Sequence, residues 1–192
     1  MPEIVHISGT PNPLAKKFHC DEMISPAKPL SFSSSLEASA SETAKALFDL
    51  DYVTNVFMLD QVVTINVRES TDWEMVEPEL SMLLEEYLEA STGSVPEQQE
   101  QPEIQITFPE DFFGLSLEDQ LSHLNRILEA KVRPGLAGDG GGLDIMGIEG
   151  NTVYIYYLGA CGSCPSATTG TLNYIQTTFK QLAHPTLEVA LS

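Results

Sequence analysis

The sequence predicts an α/β (α+β) protein built as two small domains. Three observations carry that expectation: apolar residues that switch between strand-like and helix-like spacing along the chain, capping signals ahead of the helical stretches, and a compositional break near the middle. The break, Ser91-Thr-Gly-Ser-Val-Pro-Glu-Gln-Gln-Glu-Gln-Pro-Glu103, has no aromatic residue and reads as a linker over 91–103 between a domain at 1–90 and another at 104–192. With 192 residues and 42% hydrophobic content, the chain can bury two small cores.

In the first domain, Thr10-Pro-Asn-Pro13 predicts a turn and the Pro/Ser-rich run from Ser25 to Ser35 predicts a loop. Ser39 with Glu42 has the capping-box form ahead of a short helix through Ala44, Leu47 and Phe48. The segments Asn55–Leu59 and Val62–Val67 flank Asp60-Gln61, the pattern of a β-hairpin. Thr71 with Glu74 opens a second helix running to Leu88, which Pro78 is expected to kink.

In the second domain, Leu117, Leu121, Leu124, Leu128 and Val132 have helical spacing with Ser116 as N-cap. Arg133 to Gly142 reads as a glycine-rich loop. Leu143–Met146 and Val153–Leu158 read as two strands turning at Glu149-Gly-Asn151. Leu172, Ile175, Phe179 and Leu182 form one face of a second helix, and Leu187–Leu191 a last strand. The expected order of the domain is therefore α-β-β-α-β.

The 9 Lys+Arg against 28 Asp+Glu give a net charge of -19, which repels phosphate backbones and anionic headgroups. Neither nucleic acid nor a membrane surface is an expected partner. Both halves are acidic, with 5 basic and 18 acidic side chains in residues 1–102 and 4 and 10 in residues 103–192. Three cysteines do not make a disulfide framework, and the N-terminus has neither a signal-peptide pattern nor an Arg-rich amphipathic one; the reading is a cytoplasmic protein.

Cys161-Gly-Ser-Cys164 carries the chemistry. It stands between an apolar strand and a helix, where a helix N-terminus favours thiolate, the form that binds metal or attacks a disulfide. A thiol–disulfide oxidoreductase would use one cysteine to attack and the other to resolve. A zinc site or an iron–sulfur cluster needs about four ligands, and the chain offers two at this spacing, with His6, His19, His123 and His184 scattered. Two chains about a twofold axis supply four thiolates, for either metal centre. Cys20 reads as a small buried hydrophobe. The loop at Asp139-Gly-Gly-Gly142 lacks the P-loop lysine, so it reads as a close backbone approach to the cysteine loop rather than a phosphate cradle. Trp73, Tyr154, Tyr156 and Tyr157 read as core or sheet-face positions.

The run Val132-Arg-Pro-Gly-Leu-Ala-Gly-Asp-Gly-Gly-Gly142, then Tyr154-Ile-Tyr-Tyr-Leu-Gly-Ala-Cys-Gly-Ser-Cys-Pro-Ser166 and Gly170-Thr-Leu172, closely resembles the C-terminal domain of NifU and the Nfu-type iron–sulfur carriers. Thr10-Pro-Asn-Pro13, Lys45–Phe48, Val53–Phe57 and Asp72-Trp73 resemble the Nfu N-terminal domain. The resemblance covers nearly the whole chain, departing at the looser tail His184-Pro-Thr-Leu-Glu-Val189. It implies a NifU-like second domain and a [4Fe–4S] cluster held by Cys161 and Cys164 across a homodimer. The cluster would be received from upstream assembly proteins and delivered to apo-proteins, the work of a scaffold or carrier and not of an enzyme. The first domain would then recognise clients or act as an accessory.

Overall fold

The computed structural model describes residues 2–88, 111–162 and 167–192; the expected linker 91–103 and Cys164 lie outside the described residues. The described chain forms two units, each with its own sheet and its own apolar core. Helices and strands are mixed in both, in agreement with the α+β expectation.

The first unit is a five-stranded antiparallel sheet in the order β1-β2-β5-β4-β3, made of β1 (Ile4–Gly9), β2 (Ala15–Cys20), β3 (Ser25–Phe32), β4 (Val53–Asp60) and β5 (Val62–Val67). The β4–β5 hairpin turns at Asp60-Gln61 with Leu59 opposite Val62, and Asp60 takes φ 52°, a conformation that aspartate tolerates better than most side chains. Along β5 the side chains alternate. Val63, Ile65 and Val67 join Phe18, Val56 and Met58 in the core, while Thr64 and Asn66 point to the other face. Three helices close the core side: α1 (Ser35–Ala38), α2 (Glu42–Phe48) and α3 (Trp73–Tyr87), the last supplying Val76, Leu80 and Leu84.

Two expectations for this unit are corrected. The 25–35 run is not all loop. It forms β3 on the sheet edge, where Pro26 and Pro29 need not donate to a neighbour and the register shifts between Ser25 and Leu30. The caps are Ser41, whose hydroxyl accepts from Ala44 N, and Asp72, whose carboxylate accepts from Glu74 N. Ser39 instead ends α1, which Ser34 caps. Helix α3 runs through Pro78 as one helix.

Cys20 is 4% exposed in this core, and burial, aided by the charge of Asp21, pushes its thiol up from 9.0 to about 12. A raised folded-state pKa means the neutral thiol's stabilising contribution is complete below pH 9 and is lost as pH rises from there through about 12. The urea midpoint should therefore fall further between pH 9 and 12 in the natural chain than in Cys20→Ala, and equal falls would refute the assignment.

The second unit has the sheet order β6-β7-β8. Central β7 (Thr152–Gly159) pairs antiparallel with β6 (Gly141–Glu149) and parallel with β8 (Glu188–Leu191), the parallel pair being bridged by α6 (Ala167–Leu182). Helix α4 (Leu117–Lys131) packs with α6 over one face, so Leu124, Ile127, Leu128, Ile175 and Phe179 meet Leu143, Val153, Ile155 and Tyr157. Ser116 caps α4 as expected, accepting from Asp119 N at 3.2 Å and donating to the Asp119 carboxylate at 2.6 Å. The expected loop from Arg133 is also corrected. It contains a short helix, α5 (Arg133–Gly138), started by proline in its first turn, so the order is α-α-β-β-α-β. The Arg133 guanidinium bonds Asn125 and Asp144 and pairs with Glu129, tying α4, α5 and β6 together.

Candidate functional site

Cys161 sits in the turn that follows β7, and glycines at the start of β6 and the end of β7 shape that turn. Gly140 (φ 79°) offers its carbonyl to Ala160 N at 3.2 Å, Gly159 (φ 61°) reverses the chain, and Gly162 N bonds back to Gly159 O at 3.1 Å. At Gly141 a Cβ would stand 2.6 Å from Cys161 Sγ and 2.7 Å from Leu158 O. Only a glycine lets β6 pass so close beneath the sulfur. The close backbone approach expected of the Asp139–Gly142 run is what the structure shows.

The expected helical setting is not. Helix α6 begins at Ala167, so Cys161 lies before it rather than in its first turn. A helix dipole acts within about one turn of the terminus, so it gives Cys161 little help toward thiolate. Cys164 lies outside the described residues, and the structure does not bring the two thiols into one described geometry. Among the described residues no cluster of three or more His, Cys, Asp or Glu forms a metal site. No helix among them is long and apolar enough to cross a membrane.

Cys161 is 3% exposed and belongs to the second core. Tyr157 lies on the same wall, with its hydroxyl lacking a hydrogen-bond partner among the described residues. Burial, and secondarily the charge of a Cys161 thiolate, push that hydroxyl up to about 12. It therefore stays a neutral O–H able to donate. A soft thiolate donor, a neighbouring O–H donor and a sulfur bed free of Cβ atoms fit a sulfur-rich metal cluster better than a hard oxygen-seeking cation.

The first unit covers this loop, which sequence reasoning missed. Asn12 and Asn66, both 1% exposed, donate from Nδ2 to Ala160 O (3.0 Å) and Gly159 O (3.3 Å). Lys17 Nζ reaches Gly138 O at 2.6 Å, and the Phe57 ring lies 3.6 Å from where a Gly142 Cβ would be. Thr64 and Asn66 alternate outward like any wet strand face, so no residue pattern announced that a second domain would lie on them.

Residues 5–91 match the family described as scaffold protein Nfu/NifU N terminal, and residues 124–190 match the NifU-like domain. The chain carries both of these domains, in that order. Curated relatives named "NFU1 iron-sulfur cluster scaffold homolog, mitochondrial" from Drosophila erecta and Drosophila virilis are 25% and 26% identical to this chain over 173 residues. Those alignments cover 90% of the chain but 59% and 56% of the relatives, so it spans less than two thirds of their length. The solution structure of a NifU-like protein from Saccharomyces cerevisiae is 27% identical, covering 43% of this chain and 77% of that one, at a TM-score of 0.39. The cytoplasmic expectation is corrected by these names, which place the relatives in mitochondria. Composition alone does not separate one compartment from another.

Proposed function

We propose that this chain is an iron–sulfur cluster scaffold or carrier, with the cluster as its cargo, and that Cys161 and Cys164 are the thiolates that hold it. The supporting observation is Cys161 on a bed of glycines in a turn fixed by Gly140 and Gly141, within the domain that matches NifU. The resemblance to the NifU-type carriers implies a [4Fe–4S] cargo, and two thiolates per chain against about four per cluster lead two copies to share it. Apo-proteins are the recipients and upstream assembly proteins the source. Cluster binding supplies no turnover chemistry, so the chain acts as a carrier and not as an enzyme. A thiol–disulfide oxidoreductase draws less support, since Cys161 stands before α6 and not at its first turn, where such a thiol is activated.

Anaerobic reconstitution with iron and sulfide tests the reading. Cluster binding to the dimer alone must pull the monomer–dimer equilibrium toward dimer. Sedimentation at matched concentration should show a shift to dimer on loading, with a cubane absorbance and Mössbauer spectrum. A colourless product, or a monomer carrying four irons, would refute it.

A further inference from the structure

We infer that the open face of the first domain's sheet is a lid over the cysteine loop, and that a second copy of the chain must displace it to share a cluster. The inference rests on Cys161 as a cluster ligand, the reading proposed above. The lid face is built from β2, β4, β5 and the turn before β2, and the residues it presents are Asn12, Lys17, Phe57, Thr64 and Asn66. Thr64 is fully buried and Asn12, Asn66 and Phe57 are within 2% of it. Polar residues on the non-core face of an antiparallel sheet normally meet water. Here they are dry because the Gly138–Gly142 and Gly159–Cys161 segments lie on them.

The contact is specific, because side-chain amides bond to the two carbonyls next to Cys161. It is also separable. Phe57 is its main large apolar side chain and the rest is amide, hydroxyl and ammonium, the composition of interfaces that open and close rather than of a domain core. Pro11 and Asn12 share with Cys161 a space of about 20 Å³, room for one water at most. An iron bonded to Cys161 and to a sulfide shared with another chain does not fit there. The closed form holds the loop against the first domain, and the loaded dimer requires the loop to face a second chain. The two states exclude one another, so loading reports lid opening.

Asn12→Asp together with Asn66→Asp tests this in the full-length chain. Asn12 Oδ1 accepts from Leu14 N at 3.0 Å, and aspartate keeps that acceptor, so the turn survives while the donor to Ala160 O is replaced by a carboxylate. Lys17→Met removes the Gly138 contact at the exposed rim and leaves both cores untouched. Each change is placed in a Cys164→Ser apo background, so that Cys161 and Cys20 are the thiols present, and alkylation at Cys161 is followed by peptide mapping. The expected result is roughly tenfold faster alkylation of Cys161 in the double variant, the effect of losing one or two buried hydrogen bonds. A smaller increase is expected in Lys17→Met, and Cys20 should remain protected in both. A larger radius of gyration by X-ray scattering should accompany the faster alkylation. Equal alkylation rates in all proteins would overturn the lid. With Cys164 restored, the double variant should also accept cluster faster than the natural chain. Faster alkylation with no cluster in any protein would leave the lid standing and reject the carrier reading instead.

Discussion

Cys161→Ser and Cys164→Ser chains are each expected to retain no stable cluster after anaerobic reconstitution, while Cys20→Ser retains the full complement. Serine replaces a soft thiolate by a hydroxyl that does not ionise near neutral pH, and iron in a sulfide cubane is bound by thiolates. Cys20 is embedded in the first core with its thiol pushed up to about 12, so it neither reaches the cysteine loop nor ionises under working conditions. Its serine variant should lose stability, about 1–3 kcal/mol for an unsatisfied buried hydroxyl, without losing cargo. Iron and acid-labile sulfide per chain, measured alongside urea midpoints, separate the two effects. Full cluster loss in Cys20→Ser at intact stability would sink the ligand assignment.

Gly141→Ala is the second large effect. Its Cβ would fall 2.6 Å from Cys161 Sγ, 2.7 Å from Leu158 O and 2.9 Å from Cys161 N. Two of those three are backbone atoms in a paired strand or the turn that follows it, so no rotamer change relieves them. Overpacking of this kind costs about 1–3 kcal/mol, and the backbone contacts place this site at the upper end. The strain would leave either as lower stability of the second domain or as displacement of the cysteine loop, and both reduce cluster content. Gly138→Ala is the control, since nothing lies within 4 Å of a Cβ there. Equal cluster content and equal urea midpoints for the two variants would show that the close approach at Gly141 has no consequence.

The elements most legible in the sequence were those in which one physical signal acted without a competitor. Ser116 followed by apolar residues at helical spacing gave α4 and its cap, and Val62–Val67 after Asp60-Gln61 gave the hairpin. Strand β2 escaped because Ala15-Lys-Lys-Phe-His-Cys20 carries one residue of strong strand preference, Phe18, whereas β1, with Ile4, Val5 and Ile7 in six residues, carried a signal that the reading passed over. Helix α5 escaped because proline and two glycines in six residues read as loop, although proline is at home in a helix's first turn. At the site, the cysteines and the glycine run were visible as motif. The lid was not. The period-2 alternation that sends Thr64 and Asn66 away from the core is the same whether water or a second domain waits on that face.

Strand β3 has a consequence for how such chains meet one another. An open sheet edge offers unpaired backbone groups on which a foreign strand can add itself, and the usual outcome is insoluble ribbon rather than a defined pair. On this border Pro26 and Pro29 carry no amide hydrogen, and the register slips between Ser25 and Leu30. A visiting strand would find donors missing and its spacing broken after a few residues. Addition of one molecule to another through that side of the first domain is thereby discouraged, and ribbon growth from this edge stops early.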